Sequence, residues 1–227
     1  LFILLSEKIM AINGTVQFTD GTTQTTKFDS ADDKGKIIQI NSYTTAGTFT
    51  WTKPTGCTAA LVQVVGAGGG AASYCESGGA GGYSEKLVDV TAVSTVSVTV
   101  GGGGSAVGYF AAAGNGGTSS FGSYCSATGG FGANRQTNHT GGVGGAGTGG
   151  DINVRGGSGT GHGNTGGREA VGRGGKSFFG GGSGASHSTN TANLSPGSPG
   201  AGGPGGAMQS WAGSNGSTGA VIVYSYK

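Results

Sequence analysis

Phe49 and Trp51 alternate with threonine in TFTWT, and Pro54 and Gly56 mark a turn after them. Alternation sends successive side chains to opposite faces, so this stretch predicts a half-buried β-strand. AALVQVV, residues 59–65, is apolar except for Gln63 and predicts a buried strand. GGYSEKLVDV and STVSVTV predict two more strands of alternating type, and GTSSFGSYC and DINVRG two shorter ones. The C-terminal GAVIVYSY, bounded by Gly219, is the clearest of all. Val16 and Phe18 also alternate with polar neighbours, and Asp20-Gly21 behind them is a hairpin turn signal. No segment carries an apolar period of 3.6 residues, so almost no helix is expected. Strands near both ends, with long excursions between them, predict an all-β fold. A β-sandwich with long glycine-rich loops buries the apolar faces, with the first and last strands pairing.

The excursions are made of glycine. Of the 55 glycines only five precede Gly66, so the remaining 162 residues are close to one-third glycine. The composition divides the chain. An N-terminal attachment and oligomerisation segment is expected over 1–48, and a glycine-rich β domain over 49–227. Net charge is only +2 and the chain has nine Phe, seven Tyr and two Trp, a poor match to simple disorder.

Glycine recurs every third residue at 141, 144, 147 and 150, and again at 197, 200, 203 and 206. Polyproline II turns once per three residues, so such a run lines one face of an extended strand with glycine and lets backbones approach. Collagen needs unbroken Gly-X-Y with abundant proline, and four prolines exclude it. Two readings stay open: ordered polyglycine II packing, and a mobile Gly/Ser linker.

Candidate chemistry is sparse. Residues 90–227 carry six Lys or Arg against only Asp151 and Glu169. The domain is mildly basic without a charge block, so no nucleic-acid partner is expected. Gly161–Gly166 fits G-x-G-x-x-G, but in glycine-rich sequence that match arises by chance, and no strand-to-helix context surrounds it. Gly175-Lys176-Ser177 lacks the first P-loop glycine, because Ala170 stands there. His139, His162 and His187 lack metal-ligand spacing, so neither a metal nor a cofactor is expected. No catalytic constellation is present, and no enzyme activity is expected. Three cysteines, with no C-x-x-C, suit a reducing compartment and leave a Cys75–Cys125 pair open. The opening LFILL is too short for a membrane span or a signal core, and is read as a short anchor or an uncertain gene start. Aromatic and basic residues interleave in the loops: Tyr109, Phe110, Arg135, His162, Arg168, Arg173, Phe178, Phe179, His187 and Trp211. They are the candidate receptor-binding residues at the loop tips, the rings for stacking on sugar faces. The opposing reading makes Phe178, Phe179 and Trp211 wedges between glycine strands.

VQFTDGTTQTT, residues 16–26, resembles a short motif of bacteriophage tail fibres. The block from Phe49 to Tyr226 resembles the glycine-rich domain of phage tail-fibre and tail-tip proteins. It does so through GTFTWTKPTGCTAALVQVVGAGGG, GGAGGYSEKLVDV, VSVTVGGGG, GGTSSFGSYCSATGG, GGDINVRGG and GAVIVYSY. A more distant, compositional similarity links it to tip adhesins of T-even-like phages, which pack polyglycine II strands. The resemblance implies a virion protein, assembled in the host cytoplasm as a homotrimer. It would bind a host surface polysaccharide or outer-membrane receptor, and join other tail proteins through residues 1–48. The alternatives are a structural capsid or baseplate component without receptor binding, and an extracellular glycine-rich matrix or ice-binding protein.

Overall fold

The computed structural model describes residues 16–17, 23–24, 35–73, 75–108, 111–134, 140–161, 172–182, 197–206 and 213–227. The chain divides into two compact units, Leu1–Lys36 and Ile37–Lys227. In the first, β1 (Val16–Gln17) pairs antiparallel with β2 (Thr23–Gln24), Val16 opposite Gln24. The pair brackets Asp20-Gly21, where the sequence asks for a turn.

The second unit is all-β, with no helix among the described residues. Its strands are β3 (Ile37–Tyr43), β4 (Gly47–Thr52), β5 (Ala59–Val65), β6 (Tyr83–Asp89), β7 (Thr95–Val100), β8 (Ser119–Phe121), β9 (Cys125–Ala127), β10 (Gly147–Thr148), β11 (Ile152–Val154) and β12 (Ala220–Tyr226). One antiparallel sheet has the order β10-β9-β8-β7-β4 and the other β11-β6-β5-β12-β3. They pack as a sandwich. Val62, Val64, Val221 and Val223 of one sheet share a core with Trp51, Val98 and Phe121 of the other. Trp51 meets Phe121 edge-on, ring centres 5.6 Å apart. β12 lies between β5 and β3, so the C-terminus closes the sheet against the first strands. The sequence placed 37–48 with the N-terminal segment, whereas Ile37–Tyr43 pairs with β12 in this sheet. β5 is buried on one face only: Ala60, Val62 and Val64 face the core, while Leu61 and Gln63 face outward, half-buried.

The glycine-rich excursions form a second layer of order. In 66–71 the backbone N–H groups of Gly66 and Gly69 donate to Gly82 and Gly79. Those of Ala67 and Gly70 donate to Gly117 and Gly114, and those of Gly68 and Ala71 to Ser217 and Ser214. Each third residue returns to the same neighbour, three positions on. That is a backbone with three residues per turn, the polyglycine II arrangement. The carbonyls obey the same rule. Ala67 and Gly70 accept from Gly130 and Ala133, Gly68 and Ala71 from Gly104 and Val107, and Gly69 and Ala72 from Gly203 and Gly206. Segment 66–72 is thus surrounded by six others.

Segment 77–82 is surrounded in the same way. It donates to 157–160, 200–203 and 128–131, and accepts from 142–145, from Gly175 and from 66–69. Two adjacent points of a hexagonal lattice share two neighbours. Here the shared ones are 128–133 and 200–206, and among the described residues the two inner segments and their neighbours make ten.

Magnitudes explain why such a structure needs company. A net backbone hydrogen bond is worth about 0.5–1.5 kcal/mol. Ordering a glycine costs roughly 0.5–1 kcal/mol more than ordering an alanine. These are of one size, so a lone glycine strand gains nothing by ordering. A strand whose donors and acceptors are all used by neighbours does gain, because leaving any of them buried and unpaired costs about 1–3 kcal/mol.

Candidate binding surface

The directions of the ten segments decide where the surface lies. Segments 66–72, 101–107, 128–133, 156–160 and 200–206 run one way, and 77–82, 113–117, 140–146, 172–177 and 213–219 run back. Most connect directly to sandwich strands. Gly66 follows β5, Gly82 precedes β6, Gly101 follows β7 and Gly219 precedes β12. Outgoing and returning segments are therefore joined at the end remote from the sandwich, across 73–76, 108–112, 134–139, 161–171 and 207–212.

Hydrogen bonds hold those far ends level. Ala71 N–H donates to Ser214, Val107 to Ala71, Ala133 to Gly70, Ser77 to Thr160, and Cys75 to Gly206. Side chains fasten the same end. Asn215 Oδ1 accepts from Ala106 N–H at 2.7 Å, Asn115 Oδ1 from Gly132 N–H at 2.9 Å, and Ser77 Oγ from Gly205 N–H at 3.0 Å. Ser73, Glu76 and Ser77 are fully buried there. None of these fastening residues stood out in the sequence, because single Asn, Ser and Glu residues between glycines carry no periodic signal.

Arg173 belongs to this end. Its N–H donates to Thr160 Oγ1 at 2.7 Å, its carbonyl accepts from Thr160 N–H at 3.1 Å, and the residue is exposed. Phe178 and Phe179 do not belong to it. They sit on the turn Ser177–Gly180 at the sandwich end of the bundle. There Phe178 stacks on Tyr83, the first residue of β6, with ring centres 3.7 Å apart and planes 11° apart; Phe179 meets Tyr83 edge-on. The pair packs on a strand residue of the sandwich and not as a wedge between glycine strands, and Phe178 keeps half its surface in solvent. Tyr83 also donates to Glu85 Oε2 at 2.6 Å, and Gln63 Nε2 donates to the same oxygen at 2.8 Å. Burial, with Glu85 alongside, raises the Tyr83 pKa well above the usual tyrosine range. Tyr109, Phe110, Arg135, His162, Arg168, His187 and Trp211 lie outside the described residues.

The cysteines are free and buried. Cys75 is in the far-end turn between the two inner glycine segments, and Cys125 is in the sandwich core. Among the described residues no cluster of His, Cys, Asp or Glu could hold a metal. Among the described residues no helix is long and apolar enough to cross a membrane.

A family model described as the glycine-rich domain matches residues 44–226, from the turn before β4 to the end of β12. The chain belongs to the glycine-rich domain family. A search of curated proteins found no match. The match takes in all ten glycine segments of this glycine-rich domain, and β3 lies ahead of it.

Proposed function

We propose that this glycine-rich domain is the receptor-binding tip of a bacteriophage tail fibre or tail tip, recognising an anionic polysaccharide on the host surface. The phage context rests on the tail-fibre resemblance of 16–26 and 49–226. The observation that carries the binding role is the common far end. Five connections leave a scaffold of almost bare backbone at one end, and glycine strands pack closely enough to crowd them into a small area. Arg173 is exposed on that end, and Arg135 and Arg168 fall in two of its connections. With six bases against two acids in 90–227, phosphate or acidic sugar is the complementary target. Residues 1–36 then serve attachment to other tail proteins.

The test is adsorption of the purified chain to bacterial cells and to their isolated surface polysaccharides, over a salt series. Binding should weaken as salt rises, because exposed charges are screened. Replacing Arg135, Arg168 and Arg173 together by Ala should reduce binding at least about tenfold and leave the melting temperature unchanged. Salt-independent binding, or a triple variant that adsorbs normally, refutes the electrostatic reading. A density map of the particle with this far end pointing into the virion would refute the receptor role itself.

A further inference from the structure

Among the described residues the sandwich has two open edges, and they differ in protection. One is made of β10 and β11, two and three residues long. Lys86 Nζ reaches Gly149 O at 2.9 Å beside it, and Asp151 Oδ2 accepts from Leu87 N–H at 3.0 Å. The other edge is made of β3 and β4, seven and six residues long. From Ile37 to Thr52 there is no charged residue and no proline. Short length, charge and proline are usual defences of an edge strand, and this edge has none of them; its one irregularity is a register shift near Ile38, where Gln39 faces Ser225 and Ile37 faces Tyr226. β3 pairs with β12 alone among the described strands.

The register shows what the bare edge interrupts. On the outer face of the sheet Leu87 lies opposite Leu61, Leu61 opposite Tyr224, and Tyr224 opposite Ile40. This apolar row crosses four strands and stops at Ile40, which is 57% exposed. Next to it on the other face, Asn41 Oδ1 is buried without a hydrogen-bond partner, and Gln39 is exposed.

We propose that β3 pairs antiparallel with β3 of a second copy of this chain, about a twofold axis through Ile40, making one ten-stranded sheet. In that register Ile40 meets Ile40 of the second copy, and the apolar row continues into the second sheet. Gln39 comes opposite Asn41 of the second copy on the same face. Its amide brings N–H donors to the side where the Asn41 oxygen lacks one. No like charges meet, because β3 carries none. A threefold axis cannot set β3 against itself, so this edge makes a dimer in place of the trimer that the fibre resemblance implies. The inference does not depend on receptor binding.

Sedimentation velocity of the full chain at tens of micromolar tests it, and a dimer is expected. Ile40→Lys places two like charges at the axis. It should weaken association at least about tenfold, while the circular dichroism spectrum stays that of the folded chain, since Ile40 is exposed in the single copy. Under oxidising conditions Ile40→Cys should give a disulfide-linked dimer, because directly opposite residues lie about 4.5–5.5 Å apart, within disulfide reach. Gln39→Cys should not, and the native thiols are buried. A monomer at these concentrations, a trimer, or an oligomer that Ile40→Lys leaves intact overturns the proposal.

Discussion

At Gly68 a β-carbon would overlap the carbonyl of Ala201, and at Gly216 it would overlap the carbonyl of Gly68. Neither glycine has a positive φ, so backbone conformation does not require glycine there; space does. The α-hydrogen pointing in the Cβ direction faces a carbonyl oxygen, the arrangement of a Cα–H···O=C contact. Gly102 is a natural control in the same bundle, because a Cβ there would find only the Ala46 methyl at 3.7 Å. Gly68→Ala should cost about 3 kcal/mol or more, as overpacking against immovable backbone does. Gly102→Ala should be neutral or add about 0.4–1 kcal/mol by restricting the unfolded chain. Thermal melts of the two variants check this, and equal effects would mean that the glycines are not spaced by contact.

The thiols give a second test at this scale. Burial pushes Cys125 from 9.0 up to about 11 and raises Cys75 as well. Between pH 9 and 11 the unfolded chain loses the Cys125 proton and the folded chain keeps it. The folded state therefore binds more protons, and stability falls as pH rises through this window. Cys125→Ala should flatten that part of the stability–pH curve in denaturant titrations. The native thiols should react with a disulfide reagent at pH 8 far more slowly than the unfolded ones.

Among the elements, inner and outer glycine segments follow different sequence rules. In 141–146, GGVGGA, two residues of each three face the bundle and the third faces out, which leaves Val143 half-exposed. The inner 66–70 and 78–82, GAGGG and GGAGG, have neighbours all round and show no clean threes. In 141–146 the period of three follows that outward face, whereas 200–206 keeps the threes with all its residues buried. The first run also goes past the element it belongs to. Gly147 is in β10 and Gly149 is in a turn with φ +80°, so the run to 150 joins bundle, strand and turn. In the later run Gly197, φ +91°, bridges Gly182, and Gly200, φ +77°, lies in the turn that Ala201 N–H closes on Ser198, so the packed segment starts only there. Hydrogen exchange separates a bundle from a linker. The amides of 66–71 and 77–82 should be protected to the degree of β5 and β12, although these segments have no helix or sheet ladder. Exchange at the rate of an unstructured peptide would contradict the bundle.

At the scale of the whole molecule, sandwich and bundle should unfold as one cooperative structure. The inner glycine segments continue β5 and lead into β6 without a linker. The junction is tight: a β-carbon on Gly200 would strike Val65 Cγ1, and Ser119 Oγ accepts from Gly101 N–H at 3.0 Å. Emission from Trp51 in the sandwich core, followed in a Trp211→Phe background, should change at the same denaturant concentration as exchange protection in 66–82. Gly68→Ala should shift both midpoints together. Two separate transitions would show independent units.

The alternation of apolar residues was enough for the all-β class and for β4, β5, β6, β7 and β12, because a strand's two faces are written two residues apart, but β3, Ile37–Tyr43, went unread. Glycine density and the threes at 141–150 offered strands packed by backbone as one of two readings, beside a mobile linker, and the structure shows the packed one. What the sequence did not contain was the neighbour of each segment. A glycine has no side chain to encode a partner, so the lattice is set by backbone hydrogen bonds that any glycine could make, and only the closed structure assigns them. The same holds for the candidate surface. Arg173 and Phe178 looked alike as large residues among glycines, five positions apart. Tertiary structure put the arginine at the far end and the phenylalanine at the sandwich end on Tyr83, because the segment between them spans the length of the bundle.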